Sequence, residues 1–279
     1  MAYPTVSGAY GYKPVNLIGG QPFSGSTRMY SVIYNNTAAI FYGDPVSLTT
    51  GNAIISTLPV TSTNTIVGIF LGCYYTNPAT KQRLYSQYLP AGTLAGDITA
   101  VVADDPDVVL RCAVTAAANS QVISSANSLN IGTNLIGNSG ATTVGSTATG
   151  NSVNGVIAST TANTTSSVGF RVLSLVPDTQ VSYGSTYVSQ VAATSVTLAS
   201  LPSGVTIPVG AEVFNVVFGG LQYTGAIVGT AVTTTTANTT LSVATTTGLT
   251  TTVGAGIAVV VTPEVLVKVN FGSHRYNVG

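Results

Sequence analysis

Charge is nearly absent from the middle of this chain. Between Ala113 and Thr262 the only carboxylates or basic side chains are Arg171, Asp178 and Glu212. All other charges lie in the first 111 residues or the last 17. A free soluble domain keeps about a quarter of its residues charged, for solvation and colloidal stability. Here the fraction is 6% and the net charge is zero. Such a chain aggregates unless it spends its working life packed against something. Composition therefore points to an assembly protein.

The local signal is strand. Val, Ile, Thr and Tyr abound, and Gly, Asn and Pro punctuate them every few residues. Glu264 to Phe271 alternates, with Val265, Val267, Val269 and Phe271 on one face and Glu264, Leu266, Lys268 and Asn270 on the other. That is a half-buried strand. Phe170 to Leu175 and Asp107 to Val114 read as strands too. No stretch sustains a 3.6-residue apolar period, and at most one short helix fits near Leu94 to Ala103. Ile66 to Tyr75 reads as a buried strand reaching the surface. Thr76-Asn77-Pro78-Ala79-Thr80 supplies turn chemistry, and Lys81 to Tyr88 returns. The result is a hairpin with tyrosines on both arms, suited to cross-strand pairing.

Composition shifts near residue 113 to Ser, Thr, Asn, Ala and Gly. Ordinary core character returns over Phe170 to Asp178, and a second charge-poor stretch runs from about 180 to 262. The strand beginning at Glu264 reads as the successor of the one ending at Val176. We therefore expect residues 1–179 and 263–279 to form one β core and 180–262 to be an inserted Thr-rich, sandwich-like β module, as tolerated where two chain ends lie close together. The insertion contains a repeat with a spacing of 44 residues: Gly204, Val205, Thr206, Val209, Gly210, Ala211 and Val213 match Gly248, Leu249, Thr250, Val253, Gly254, Ala255 and Ile257. Two similar β units packed together are expected. The Thr runs lack the Pro of a mucin-like stalk and suit extended pairing.

Little here points to chemistry. His274 is the only histidine, and neither it nor the distant Cys73 and Cys112 offers zinc spacing. The two cysteines read as small buried hydrophobes, with a single bridge as the alternative. Asp104-Asp105-Pro106-Asp107 is the one carboxylate cluster; it reads as a turn, with a cation site as the alternative. There is no P-loop and no nucleophile elbow, so neither an enzyme nor a cofactor is expected. The scattered bases argue against direct nucleic-acid binding. No run reaches about 18 uninterrupted apolar residues, so no membrane span is expected. The N-terminus lacks the pattern of a signal peptide. The sequons at Asn35, Asn163 and Asn238 arise by chance in so Thr-rich a chain. Fourteen tyrosines without tryptophan suit strand packing and interfaces, and sugar stacking is the alternative.

Several segments resemble virion proteins of tailed phages: Tyr10-Gly11-Tyr12-Lys13-Pro14 to Gly20, Phe41-Tyr42-Gly43-Asp44-Pro45-Val46-Ser47-Leu48, Val67 to Gly72, Asp104 to Asp107, and Val267 to Asn277. The Gly-Asp-x-Val-x-Leu motif followed by Val-Gly-Ile is similar to the β-tulip type of head-decoration (cement) protein, of the lambda head-stabilising kind. The resemblance covers about 1–178 and 263–279 and leaves out the insertion. It implies an all-β fold with a β-barrel or β-tulip-like core. It also implies a virion protein on the outer head surface, assembled in the host cytoplasm. There it binds the major capsid protein, as a trimer, and clamps neighbouring shell subunits. An extended N-terminal arm (Ala2 to Pro22) would then add strand contacts. The expected interface residues are Tyr10, Tyr12, Lys13 and Pro14 of the arm and Tyr74, Tyr75, Tyr85 and Tyr88 of the hairpin. The alternative is a head- or tail-fibre type receptor- or glycan-binding virion protein.

Overall fold

The computed structural model describes residues 6–48, 54–57, 66–117, 120–137, 145–157, 169–199 and 201–270. Residues 1–5 of the expected arm, Asn163, Phe271 and His274 lie outside them. The described chain is all-β, with two single 3-10 turns and no α-helix. It opens with β1 (Lys13–Leu17). Next come β2 (Arg28–Val32), β3 (Pro45–Leu48), β4 (Ile54–Thr57), β5 (Gly68–Thr76), β6 (Arg83–Ser86) and β7 (Thr99–Ala103). Then follow β8 (Val108–Thr115), β9 (Asn134–Gly137), β10 (Val156–Ile157) and β11 (Phe170–Leu175). The segment from β12 (Val181–Ala192) continues with β13 (Ser195–Leu198), β14 (Thr206–Ile207), β15 (Glu212–Val217), β16 (Gly220–Ile227), β17 (Val232–Thr233), β18 (Thr239–Ser242) and β19 (Gly256–Val261). Last is β20 (Glu264–Val269).

The first sheet closes into a five-strand barrel. Its pairings run β3–β4–β2–β7–β5 and return from β5 to β3, with β6 added outside β5. Period-2 burial sets the register. Tyr30 and Val32 of β2 and Ala100 and Val102 of β7 point inward with Val46 and Phe70, while Met29 is exposed. The same alternation makes strand β7 (Thr99–Ala103) of the stretch near Leu94 to Ala103, the one place where the sequence admits a short helix. Thr99, Ala100, Val101 and Val102 alternate between partial and full burial, a pattern a helix cannot present to one core.

The second sheet also returns on itself: β8 pairs with β10, β10 with β9, β9 with β11, β11 with β20, and β20 with β8. Its core gathers Leu110, Cys112, Val114, Leu135, Phe170, Val172, Val265 and Val267. Ile66 and Ile69, from the stretch entering and opening β5, belong to this core. The two barrels thus share a wall. Within the first barrel, β5 and β7 approach closely at Gly68, where a Cβ would lie 2.2 Å from the Ala103 carbonyl oxygen.

β11 and β20 run antiparallel, with Phe170 opposite Val269 and Leu175 opposite Val265. The chain leaves the second barrel at one strand end and re-enters beside it. Between these points lies a third β module with its own core of Val196, Leu198, Ile207, Val213, Leu241, Ile257 and Val259. Its six-strand sheet runs β16–β15–β19–β12–β13–β18. A bridge between Val228 and Val243 joins the two outer strands and closes the ring.

The 44-residue repeat is legible in this module. β13 and β18 occupy equivalent positions, as do β15 and β19. Each pairs antiparallel with its own counterpart. The turn glycines match as well. Gly204 and Gly248 have φ of +79° and +89°, and Gly210 and Gly254 have +88° and +83°. Their surroundings differ: a Cβ on Gly204 meets nothing and one on Gly248 would lie 3.3 Å from Thr224 O, and the contrast is sharper in the second pair. A Cβ on Gly254 meets nothing, whereas one on Gly210 would lie 2.0 Å from the Ser125 carbonyl oxygen. That contact belongs to the seam with the second barrel. Along it Ser125 N donates to Val209 O at 3.1 Å, and Ser128 N donates to Glu212 Oε1 at 3.0 Å.

The matched glycines give a controlled comparison. Gly254→Ala should lower stability by about 1 kcal/mol, the cost of a side chain at positive φ. Gly210→Ala should cost at least about 2 kcal/mol more, because strain at the seam adds to that term. Urea denaturation of the two variants measures the difference.

Candidate partner-binding surface

The N-terminal segment from residue 6 onward is built into the fold and is not a free arm. Gly11 and Gly43 cross at close range, at φ +85° and +90°, and a Cβ on Gly43 would sit 2.9 Å from Tyr12 N. Gly11 N donates to Asn154 O at 2.9 Å, and Tyr12 N to Gly43 O at 3.0 Å. Tyr12 is buried, its ring stacked on Phe170 at 4.2 Å, its hydroxyl donating to Gly155 O at 2.6 Å. β1 then pairs with β8. Burying an aromatic ring gains about 2 kcal/mol, so the sequence Tyr10 to Leu17 serves its own core first. Tyr12 is therefore unavailable to a partner. Tyr10, Lys13 and Pro14 stay half-buried at the surface, the Lys13 ammonium 4.9 Å from the Tyr10 ring centroid.

Behind Tyr10 lies the main buried charge. Glu264, at the start of β20, accepts a short hydrogen bond from the Tyr10 hydroxyl and an ion pair from Arg111 of β8; Arg111 Nε lies at 3.1 Å. Burial alone would raise the Glu264 carboxyl. Bonds from Arg111, Tyr10 and Thr179 outweigh it and hold the group below its ordinary value. The same bond to Glu264 raises Arg111. One carboxylate thus ties together the N-terminal segment, β8, β20 and the exit to the inserted module.

The Gly-Asp motif is structural in the same way. Asp44 is buried, its Oδ2 accepting from Phe41 N at 2.8 Å and its Oδ1 from Asn154 Nδ2 at 2.7 Å. Burial pushes its carboxyl up to about 6, despite the opposing bonds from Ser152, Phe41 and Asn154. The Asp104 to Asp107 cluster also serves the fold. Asp104 takes the Tyr30 hydroxyl at 2.7 Å and Arg28 at 3.2 Å, and Asp105 Oδ1 accepts from Asp107 N at 2.9 Å as in a turn. Among the described residues no group of three or more metal-type ligands gathers. Cys73 and Cys112 are free and buried in different cores. Burial pushes the Cys73 thiol up to about 12.

The hairpin forms as its sequence suggests. β5 and β6 pair with Tyr74 opposite Tyr85, ring centroids 5.7 Å apart. Asn77 Oδ1 accepts from Ala79 N at 2.9 Å in the turn, and Lys81 takes φ +59°. The Arg83 guanidinium lies 4.4 Å from the Tyr74 ring centroid and 6.0 Å from that of Tyr85. Strand alternation turns Tyr75 into the first core. Tyr88 is half-buried, stacked on Phe41 at 5.3 Å. Tyr85 is 78% exposed and leads the outward face.

The residue reading missed two features. Gly72 marks a bulge in β5, which an isolated glycine in an apolar run can signal; beside it the surface carries Met29 and Gln87. The tip of the β15–β16 hairpin holds Phe218, fully exposed, with Val216, Val217, Leu221 and Tyr223 also exposed. Gly219 and Gly220 follow Phe218 with positive φ, so the turn itself projects the ring.

Two titrations test these assignments. The Asp44 carboxyl rises from 3.8 to about 6 on folding, so the unfolded chain ionises first as pH rises. Stability should fall between about pH 4 and pH 6, by on the order of 3 kcal/mol. Asp44→Asn should abolish that fall, read as the difference between the two pH–stability curves. Glu264 runs the other way. Its contribution is present above the ordinary glutamate value of 4.5 and is lost as pH falls below it. Glu264→Gln at neutral pH should cost about 3 kcal/mol, because Arg111 loses its partner; thermal unfolding gives the value.

Comparison with family models, with curated proteins and with solved structures finds no match to this chain.

Proposed function

We propose that this protein is a non-catalytic structural component of a tailed-phage particle. It decorates the outer surface of the head shell, binds the major capsid protein, and acts as a trimer that clamps neighbouring subunits. The observation that carries this reading is the pairing of a projecting apolar tip with a module whose one charge, Glu212, is buried. No acidic or basic side chain lies between Glu212 and Glu264, yet Phe218 and its neighbours stand in solvent. An exposed apolar cluster of this kind marks an association site. Uncharged surface can be covered at little desolvation cost. Closed, rigid barrels suit such work, since many modest contacts made by linked copies give slow release. The particle is suggested by the resemblance of segments within about 1–178 and 263–279 to phage virion proteins, and of the short Gly-Asp motif to head-decoration proteins.

Mass spectrometry of purified particles should find the chain in fixed ratio to the main shell protein, at many copies per head. Cryo-electron microscopy should place it over the outer shell surface. Phe218→Asp should leave the fold intact and release the protein from heads at lower salt or temperature than wild type. Absence from particles, or a location restricted to the tail, contradicts the reading.

A further inference from the structure

The outer face of a small barrel normally carries side chains shoulder to shoulder. The first barrel has a gap. Gly72 sits at the β5 bulge with φ +142° and no side chain. The gap opens into a groove of about 610 Å³, lined by Met29, Tyr42, Tyr74, Tyr85, Ser86 and Gln87 among others. The Tyr74–Tyr85 pair makes one wall, and Arg83 packs over those rings without itself lining the groove.

At the other end Gln87 Nε2 donates to Asn151 Oδ1 at 2.8 Å. Asn151 lies across a parallel bridge from Tyr42. It also lines a second groove, of about 480 Å³, between residues 6–10 and 146–153. The Gln87–Asn151 amide pair is thus a ridge common to both grooves. The Tyr42, Tyr74 and Tyr85 rings and the Ser86 hydroxyl lie on one side of it, and Tyr10 with the hydroxyls of Ser7, Ser146 and Thr149 on the other. No acidic or basic side chain lines either groove.

We propose that this furrow binds a neutral oligosaccharide. A pyranose presents a face of C–H groups to an exposed aromatic ring and a rim of hydroxyls to amides and side-chain oxygens. Tyr85 offers the ring, and the Gln87–Asn151 pair with the serine and threonine hydroxyls offers the rim. A concave site that is apolar on one wall and carries few fixed polar groups has the general form of a small-molecule site. The lining without charge selects against anionic glycans and against nucleic acid, which need cations facing the ligand. The furrow lies outside the inserted module, and the inference does not depend on where the protein sits in a particle.

The test uses the purified full-length chain, so it stands or falls separately from the particle experiments. Saturation-transfer NMR and calorimetry would be run with maltohexaose, cellohexaose and N-acetylchitopentaose. At least one should bind with a millimolar or tighter Kd. Tyr85→Ala and Gln87→Ala should each weaken it by about tenfold or more, with melting temperatures unchanged. Tyr85→Trp, which keeps an aromatic face, should retain binding. The proposal is overturned if all three sugars fail to bind at about 10 mM. It is equally overturned if binding survives both truncations. A proline-rich decapeptide occupying the groove while the sugars stay inert overturns it too, since aromatic grooves also take such peptides.

Discussion

The constraint on which this structure rests is sheet closure without charge. An open sheet edge offers unpaired N–H and C=O groups to any passing strand, and proteins blunt such edges with lysines, prolines or bulges. A chain with 6% charged residues has few lysines to spend. Ring pairing removes the need. β3 returns to β5, β20 returns to β8, and the Val228–Val243 bridge joins β16 to β18. Among the described residues what remains outside is short: β6 has only four residues, β14 and β17 pair over two residues each, and β1 is shielded in part by the bridge from Asn16 to Pro22.

Closure also explains where the few charges went. Most of the described charges stay at least partly exposed, but the carboxylates of Asp44, Asp104, Glu212 and Glu264 are buried, several of them at junctions. Glu264 with Arg111 and Tyr10 fastens the second barrel where the inserted module departs. Glu212 receives the Ser128 amide across the seam to that module. Asp44 holds the crossing of Gly11 and Gly43. Each is a directional contact in a molecule otherwise held by non-directional apolar packing, and directional contacts fix how one barrel sits on the next.

Much of this was legible in the residues, and the reason is periodicity. The Val265, Val267, Val269 alternation, the tyrosine hairpin and the 44-residue repeat are local patterns, and local patterns survive in any fold that uses them. The all-β class followed from them, whereas the barrel core was an expectation of the resemblance alone. Other features were not legible, because they depend on which strands meet. The segment from Ala2 to Pro22 reads as an arm because it is rich in Gly, Pro and Tyr; only Phe170, far along the chain, makes Tyr12 a core residue. For that cause Tyr12 and Tyr75, expected at an interface, are buried in the chain's own cores, while Tyr85 stands exposed. Phe218 carried no warning, since a lone Phe beside two glycines reads equally as packing or as display.

The inserted module has a consequence for its own history. Its two halves do not merely resemble each other; their matching strands lie side by side, as the subunits of a symmetric homodimer do. Two separate copies of a 44-residue peptide could make the same ring. Duplication and tandem joining of such a peptide's gene would turn a two-body association into a single-chain event, independent of concentration. The halves are not identical: one glycine turn rests against the second barrel while its twin stands in open space.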